Sequence, residues 1–281
     1  LHPRVRRQRQ MCIRDRNRTS PFAFTGNKFE FRMMGSSASV ANPNIILNTA
    51  VAEALAQFYA ELKDTRAEEM EQAVHKLLKK AILNHKKVIF NGNGYSEEWV
   101  KEAEKRGLFN LVSTPDCLPQ FIAPKNVDLF TKHHILTKEE IYSRYEILLE
   151  NYVKSIIIEA RTMAEMLTKD FLPSVSAYAG EISKNAASAK TFLPCADTSA
   201  EEALVKSLTD SYVSITEEIA RLKESIQDAA TMEDMQKAAD FCHCELLSKM
   251  EALRLAANSA EELIPDSMLP YPTYDQLLFS L

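Results

Sequence analysis

The stretch NRTSPFAFTGNKFEFR, residues Asn17 to Arg32, predicts two short strands joined by a turn. Phe22 and Phe24 alternate with other residues before the glycine-containing turn, and the same alternation returns at Phe29 and Phe31 after it. Because side chains along a strand point to opposite faces in turn, the second strand should have one apolar face and one charged face.

The charged face of the second strand is formed by Lys28, Glu30 and Arg32. Successive members of this row lie about 7 Å apart at the usual rise of a strand. A half-exposed antiparallel strand commonly shows such residues to water. A carboxylate between two cations can also hold a small anion together with a metal ion. The residues taken alone favour the solvent-exposed face, because charged faces are common and active sites are few.

The longer run from Asn17 to Asn44, NRTSPFAFTGNKFEFRMMGSSASVANPN, resembles the strand and loop that close the active site of glutamine synthetases of the long type III branch. Three further segments are similar to the C-terminal portion of the same family: VIFNGNGYSEEWVKEAEKRGL (Val88–Leu108), SRYEILLENYVKSIIIEARTM (Ser143–Met163) and YPTYDQLLF (Tyr271–Phe279). The resemblance extends from about Asn17 to Leu281. Type III enzymes are much longer, so we expect this chain to be the C-terminal part of one.

The resemblance implies an enzyme of nitrogen assimilation that joins ammonia to glutamate with ATP as a substrate. The glutamate side chain attacks the γ-phosphate, and ammonia then displaces the acyl phosphate. Divalent ions, Mg²⁺ or Mn²⁺, and several arginines would neutralise the transferring phosphoryl group. The resemblance also implies a cytoplasmic protein that assembles as a large ring-shaped homo-oligomer.

Site residues can be carried over from the resemblance position by position. Glu30 matches the family's metal-ligating glutamate, and Arg32 matches the arginine that contacts the glutamate substrate. Arg18 matches an arginine that contacts ATP phosphate, a role that suits a guanidinium fork, so Arg18 and Arg32 are the implied catalytic residues. Lys28 lies where other branches place a basic ATP contact. Many family members have a further phosphate-binding arginine where this chain has Ala23.

The expected fold is mainly α. Residues 15–114 should be the C-terminal part of an α+β catalytic domain, here a β-hairpin plus helices, and residues 115–281 should form a helical C-terminal domain built as an antiparallel bundle. Residues 1–14 are expected to be a foreign or disordered arm, because they lack apolar periodicity and Met11 to Arg16 looks like translated sequencing-adapter sequence. The family's upstream metal, ammonium and glutamate sites have no counterpart here, so the fragment should be inactive alone.

Apolar stripes with helical spacing follow the strands. They predict helices from Asn42 to Leu62 and from Ala67 to Ile82. A capping pair at Thr137 and Glu140 opens a helix of about thirty residues, whose many apolar positions suggest a central place. Pro173 should kink or restart that helix.

Two later stripes, Leu204 to Ile226 and Met235 to Leu253, are separated by a short break near Thr231 and should form an antiparallel pair. Two other segments are interpreted differently. Val88 to Phe90 has the composition of a short strand, and three prolines make Thr114 to Lys132 a connector.

Bulk composition excludes several classes of protein. The chain has 281 residues, of which 46% are hydrophobic, enough for a sizeable core. A net charge of −5 and a pI of about 5.8 give no electrostatic case for nucleic acid or an anionic membrane. No apolar run reaches the roughly 18 residues of a membrane span. Five scattered cysteines fit a reduced cytoplasmic setting.

Two short motifs invite ligand interpretations that we do not favour. The loop Asn91–Gly94 lacks the Lys-Ser/Thr of a phosphate-binding loop and is predicted to be a tight turn. Cys242, His243 and Cys244 lie within a helical pattern, where adjacent side chains point in different directions, so packed thiols are preferred to a zinc site. Two alternatives to the ligase remain: a non-catalytic helical assembly module, and a related ligase that attaches another amine to glutamate.

Overall fold

The computed structural model describes residues 22–24, 29–31 and 39–279. Strands β1 (Phe22–Phe24) and β2 (Phe29–Phe31) pair antiparallel, with Phe22 opposite Phe31, Ala23 opposite Glu30 and Phe24 opposite Phe29. The residues between the strands lie outside the described part of the chain. The hairpin as a remnant of a larger catalytic domain therefore stays a prediction.

The remaining structure is helical. The helices are α1 (Ala41–Leu62), α2 (Met70–Asn84), α3 (Glu97–Lys105), α4 (Thr114–Cys117), α5 (Pro124–Lys132), α6 (Lys138–Met166), α7 (Leu172–Phe192), α8 (Ser199–Thr231), α9 (Met235–Phe241), α10 (Leu247–Glu261) and α11 (Tyr274–Phe279). Short 3₁₀ turns occur at Ala67–Glu69, Lys86–Val88, Leu118–Gln120 and Asp266–Met268, and π turns occur at Leu167–Phe171 and Cys242–Leu246. No described helix is both long and apolar enough to cross a bilayer.

The chain divides into two compact units. The first unit comprises Leu1–Val112 and Ala123–Lys138, and the second comprises Ser113–Ile122 and Glu139–Leu281. A mainly helical fold is confirmed, and the predicted long helices occur at α1, α6 and α8.

Local sequence signals explain several helix ends. Ser96 caps α3, since its hydroxyl accepts a hydrogen bond from the backbone N–H of Trp99 at 3.3 Å. Asp234 caps α9 by accepting from the N–H groups of Gln236 and Lys237. Gly107 follows α3 with φ of 69°, a conformation that glycine adopts without the steric cost of a Cβ atom.

Two expectations about segments between helices are wrong. The proline-rich segment from Thr114 to Lys132 contains α4, a 3₁₀ turn and α5. Its prolines lie at the first or second positions of these elements, where the missing N–H has no intrahelical partner to lose. The segment Val88 to Phe90 is not a strand, because Lys86–Val88 forms a 3₁₀ turn and the next two residues are irregular.

The second unit has a continuous apolar core formed by α6 to α10. Its members include Leu149, Leu208, Ile215, Leu222, Leu246 and Leu253, each at most 1% exposed. Helix α8 packs against both α7 and α10, which confirms the antiparallel pairing of the last two apolar stripes. The expected central place of α6 is wrong, because Ile147 and Ile158 of α6 are 50% and 62% exposed.

The π turn at Leu167–Phe171 separates α6 from α7, and Pro173 lies at the start of α7. Proline cannot donate to the preceding turn, and a π turn accommodates this gap without ending the run of helix. The predicted kink or restart at Pro173 corresponds to this π turn, where regular α-helix is interrupted and begins again at Leu172. Leu167 and Phe171 both remain buried across the turn.

Candidate functional site

The predicted site is described only at one backbone position. Glu30 lies in β2, and its backbone is paired with that of Ala23 in β1. Arg18, Lys28 and Arg32 lie outside the described residues, so their predicted roles stay predictions. The pairing has one consequence for the expected site. Ala23, the position where the resemblance implies a phosphate-binding arginine in many family members, is directly opposite Glu30, the expected metal ligand. The Cα atoms of antiparallel partners lie roughly 4.5–5.5 Å apart.

The helix that follows the strands, α1, is anchored by an ion cluster around Glu53. Both carboxylate oxygens of Glu53 accept from Lys132 Nζ at 2.8 Å, and His133 Nε2 lies 2.7 Å from one of them. Gln57, one turn further along α1, donates to the same carboxylate at 2.8 Å. The cluster therefore joins α1 to the C-terminal end of α5 within the first unit.

These contacts change the titration of Glu53. Hydrogen bonds from Lys132, then from Gln57 and His133, lower the pKa of Glu53 from 4.5 to about 2. All three favour the ionised form, which outweighs the opposing effect of burial. The cluster has the character of a structural clamp. It contains one carboxylate, whereas a divalent ion needs several oxygen ligands.

An aromatic stack stabilises the segment between α2 and α3. The rings of Phe90 and Trp99 lie 4.0 Å apart at 20°, and the guanidinium of Arg106 lies 5.3 Å from the Trp99 ring centre. Arg106 also donates to Glu102 at 2.8 Å and to the carbonyl of Ile89 at 2.9 Å. The lone tryptophan therefore acts as a packing anchor for this segment.

The glycine loop before α3 is part of this stack. A Cβ atom added at Gly92 would lie 2.4 Å from Cζ of Phe90, so the ring occupies the space that any other side chain would need. The loop is thus shaped by close packing of an aromatic ring, in agreement with the tight turn predicted for it.

The two cysteines of the Cys242-His243-Cys244 motif lie in different environments. Cys242 is fully buried in the core of the second unit, and Cys244 is exposed. Burial raises the pKa of the Cys242 thiol. Among residues 39–279, no cluster of three His, Cys, Asp or Glu side chains has an arrangement suited to a metal ion.

The described structure is thus largely helical, with one short antiparallel pair of strands ahead of the helices in the sequence. A family profile for the glutamine synthetase C-terminal domain matches residues 73–190, from within α2 to the end of α7. Over these residues the resemblance found in the sequence is confirmed, since they match a glutamine synthetase C-terminal domain.

Curated relatives extend the similarity to almost the whole chain. A glutamine synthetase of Butyrivibrio fibrisolvens is 46% identical over 268 residues, which are 95% of this chain and 38% of that protein. A type-3 glutamine synthetase of Dictyostelium discoideum is 36% identical over 94% of this chain and 37% of its own length. A glutamine synthetase of Bacteroides fragilis is 30% identical over 95% and 37%. The chain therefore spans well under half of the length of these relatives.

Sequence reasoning missed the Glu53 cluster entirely. Glu53 and its partners Lys132 and His133 are separated by 79 and 80 residues, and no local pattern links them. The one available signal is the basic pair at the end of α5, which suits the negative end of a helix and marks a place where a carboxylate could dock.

Proposed function

We propose that the protein to which this chain belongs joins ammonia to glutamate with ATP, giving glutamine. The observation that carries the proposal is the 46% identity to a glutamine synthetase over 95% of this chain. The name shared by the three relatives supports ammonia, glutamate and ATP as the substrates, and favours this reaction over ligation of another amine.

Glu30 is the proposed ligand for Mg²⁺ or Mn²⁺, because a carboxylate oxygen is a hard donor that suits these ions. Its position on a paired backbone supports this role, since a metal ligand needs a fixed support. Arg32 would contact the glutamate substrate, and Arg18 and Lys28 would contact ATP phosphate. These cations would neutralise charge on the transferring phosphoryl group.

The proposed domain arrangement follows from the same relationship. Residues 15–114 would complete a catalytic domain supplied mostly by sequence that this chain does not contain, and residues 115–281 would form the helical C-terminal domain. The complete protein would work in the cytoplasm as a large ring-shaped homo-oligomer. Light scattering on the complete protein measures its mass, and a monomer would contradict the assembly.

The test of the site is a set of variants in a full-length protein that contains this chain. Glu30→Gln keeps the shape of the side chain but removes the charge that a divalent ion needs, so glutamine formation should fall by a factor on the order of 10² or more. Arg32→Ala should raise KM for glutamate most, and Arg18→Ala should act on ATP turnover.

Glu104→Gln is the matched control, because Glu104 is an exposed glutamate on α3. This variant should keep the parent kinetics. If Glu30→Gln, Arg32→Ala and Arg18→Ala also keep near-normal kinetics in a folded protein, the charged row is an ordinary solvent-exposed face and the site assignment is wrong.

The chain alone should not bind MgATP tightly. One carboxylate and a few cations cannot complete a two-metal site, which needs several ligands around each ion. Isothermal titration calorimetry of the purified chain with MgATP measures this directly. Micromolar affinity would contradict the proposal that the missing ligands come from elsewhere in the complete protein.

A further inference from the structure

The two sides of α1 are arranged in the opposite way to those of an ordinary surface helix. Thr49, Glu53 and Gln57 are spaced four residues apart, so they follow one line along the helix. Glu53 on this line contacts Lys132 and His133, and Thr49 is 3% exposed. This polar line is therefore the side on which α1 contacts the C-terminal end of α5.

The opposite side of α1 is apolar and exposed. Val51, Leu55 and Tyr59, which form the apolar stripe of α1, are also four residues apart, and they are 57%, 60% and 71% exposed. Each lies two residues from a member of the polar line, a rotation of about 200° around the helix. Surface helices ordinarily turn their apolar side inward and their charged side to water. In α1 the two sides are exchanged.

Helix α1 also lacks the charges that are typical of an exposed helix. Glu53 is the only charged residue between Ala41 and Ala60, and its carboxylate is already paired. By contrast, α8 carries exposed charges such as those of Arg221 and Glu217. Surfaces at which separately folded proteins meet have a polar, solvent-accessible rim around an apolar centre. Because α1 has no charge left for such a rim, its composition is that of a helix enclosed within one domain.

The sequence needed to enclose α1 lies outside this chain in the relatives. The parts of the three glutamine synthetases that match this chain are 38%, 37% and 37% of their lengths, so more than half of each protein lies outside the match. The first unit is also the one in which few of the described apolar side chains are buried. Both observations fit a core that is completed by the remainder of the protein.

We propose that apolar side chains from the part of the complete protein outside this chain cover the apolar stripe and enclose α1 within one domain. The inference rests on the proposed function, in which residues 15–114 complete a catalytic domain, and it assigns the surface at which that domain is completed. Helix α1 is then held on one side by the Glu53 cluster and on the other side by apolar burial.

Thiol labelling measures this cover directly. Leu55→Cys is made both in the complete protein and in this chain, and its reaction with N-ethylmaleimide is followed by peptide mass spectrometry, which separates it from the other cysteines. Labelling should be at least about tenfold slower in the complete protein, because a covered thiol reacts only during local opening. Gln72→Cys, at an exposed polar position of α2, is the matched control and should label at similar rates in both.

A charge placed on the apolar stripe tests the cover through stability. In this chain alone, Leu55→Glu should melt within about 2 °C of the parent, because exposed substitutions change stability little. In the complete protein it should lower the melting temperature by more than about 5 °C or prevent folding, because the carboxylate would be buried without a partner. Gln72→Glu adds the same charge at an exposed position and should be parent-like in both. Circular dichroism follows the melts.

Three results would overturn the inference. The first is labelling of Leu55→Cys that is as fast in the complete protein as in this chain, or slowed no more than that of Gln72→Cys. The second is parent-like melting of Leu55→Glu in the complete protein. The third is protection that disappears when the assembly, followed by light scattering, dissociates into folded subunits, since a second copy would then be the cover.

The labelling result is separable from the proposed reaction, because it needs no substrate. A complete protein that forms glutamine but labels rapidly at Leu55→Cys contradicts the proposed cover alone. A protected stripe in a complete protein that forms no glutamine contradicts the proposed reaction alone.

Discussion

The two compact units of this chain bury their apolar side chains to different extents. In the second unit, leucines and isoleucines of α6, α8 and α10 form one continuous core. Among the described residues of the first unit, the buried apolar side chains are few, and α1 carries an exposed apolar stripe of Val51, Leu55 and Tyr59, which are 57%, 60% and 71% exposed. Burial of apolar area is the main source of folding free energy, so the second unit has the larger share of it among the described residues.

The first unit compensates with specific contacts. The Glu53 cluster joins α1 to the end of α5, and the stack of Phe90 on Trp99 fixes the loop before α3. Such contacts depend on geometry and, for the ion cluster, on pH, whereas core burial depends on volume. Mutations in the second unit should therefore act mainly through lost apolar burial, and mutations in the first unit mainly through lost specific contacts.

The largest expected effect is in the core of the second unit. Leu222→Ala removes a fully buried side chain from α8 and should lower the free energy of unfolding by about 2–5 kcal/mol. Leu55→Ala, on the exposed stripe of α1, should cost less than about 1 kcal/mol, because that side chain loses little burial on truncation. Urea denaturation followed by far-UV circular dichroism compares the two. Equal costs would remove the distinction between the units.

An intermediate effect is expected at Gly92. Gly92→Ala forces the Phe90 ring away from the new Cβ atom and so disrupts its stack on Trp99, which should cost about 1–3 kcal/mol. The chain has a single tryptophan, so its fluorescence reports the loss of the stack directly.

Gly180→Ala is the matched glycine control in α7. Nothing lies within 4 Å of a Cβ added there, and alanine is the better helix former, so this variant should be stabilised by up to about 1 kcal/mol. If the two variants shift stability in the same direction, close packing of Phe90 is not what the loop requires.

The smallest effect is the pH dependence of the Glu53 cluster. The pKa of Glu53 is about 2 in the folded chain, below its usual 4.5. Because the folded-state pKa is the lower one, the carboxylate stabilises the fold above pH 4.5, and this contribution is lost as the pH falls from 4.5 towards 2. The gap in stability between the parent and Glu53→Gln should therefore be widest above pH 4.5 and narrow towards pH 2.

Urea midpoints of both proteins at several pH values measure that gap. Other carboxylates titrate in the same window, but they are common to the parent and the variant and cancel in the difference. Glu104→Gln, a change at an exposed residue of α3, is the matched control for the loss of one carboxylate. A gap between the parent and Glu53→Gln that is independent of pH would show that the cluster contributes only packing.

Residue patterns alone could not predict the candidate site. The roles of Glu30, Arg18, Lys28 and Arg32 came from resemblance, and the described structure adds the backbone pairing of Glu30 with Ala23. The surface cleft lined by Met163, Arg254 and Tyr271 had no sequence signal, because its walls come from α6, α10 and the segment before α11, which are more than a hundred residues apart at the extremes.

The sequence by itself determined the features that depend on neighbouring residues. Apolar spacing located α6 and α8, Ser96 specified the start of α3, and the break before Met235 specified an antiparallel return. Only the tertiary structure decided which apolar faces are covered, so that Ile158 is exposed while Leu149 is buried on the same helix. It also brought Glu53 to Lys132. The physical reason is that helix formation and capping act over a few residues, whereas burial and long-range ion pairing depend on which elements pack together.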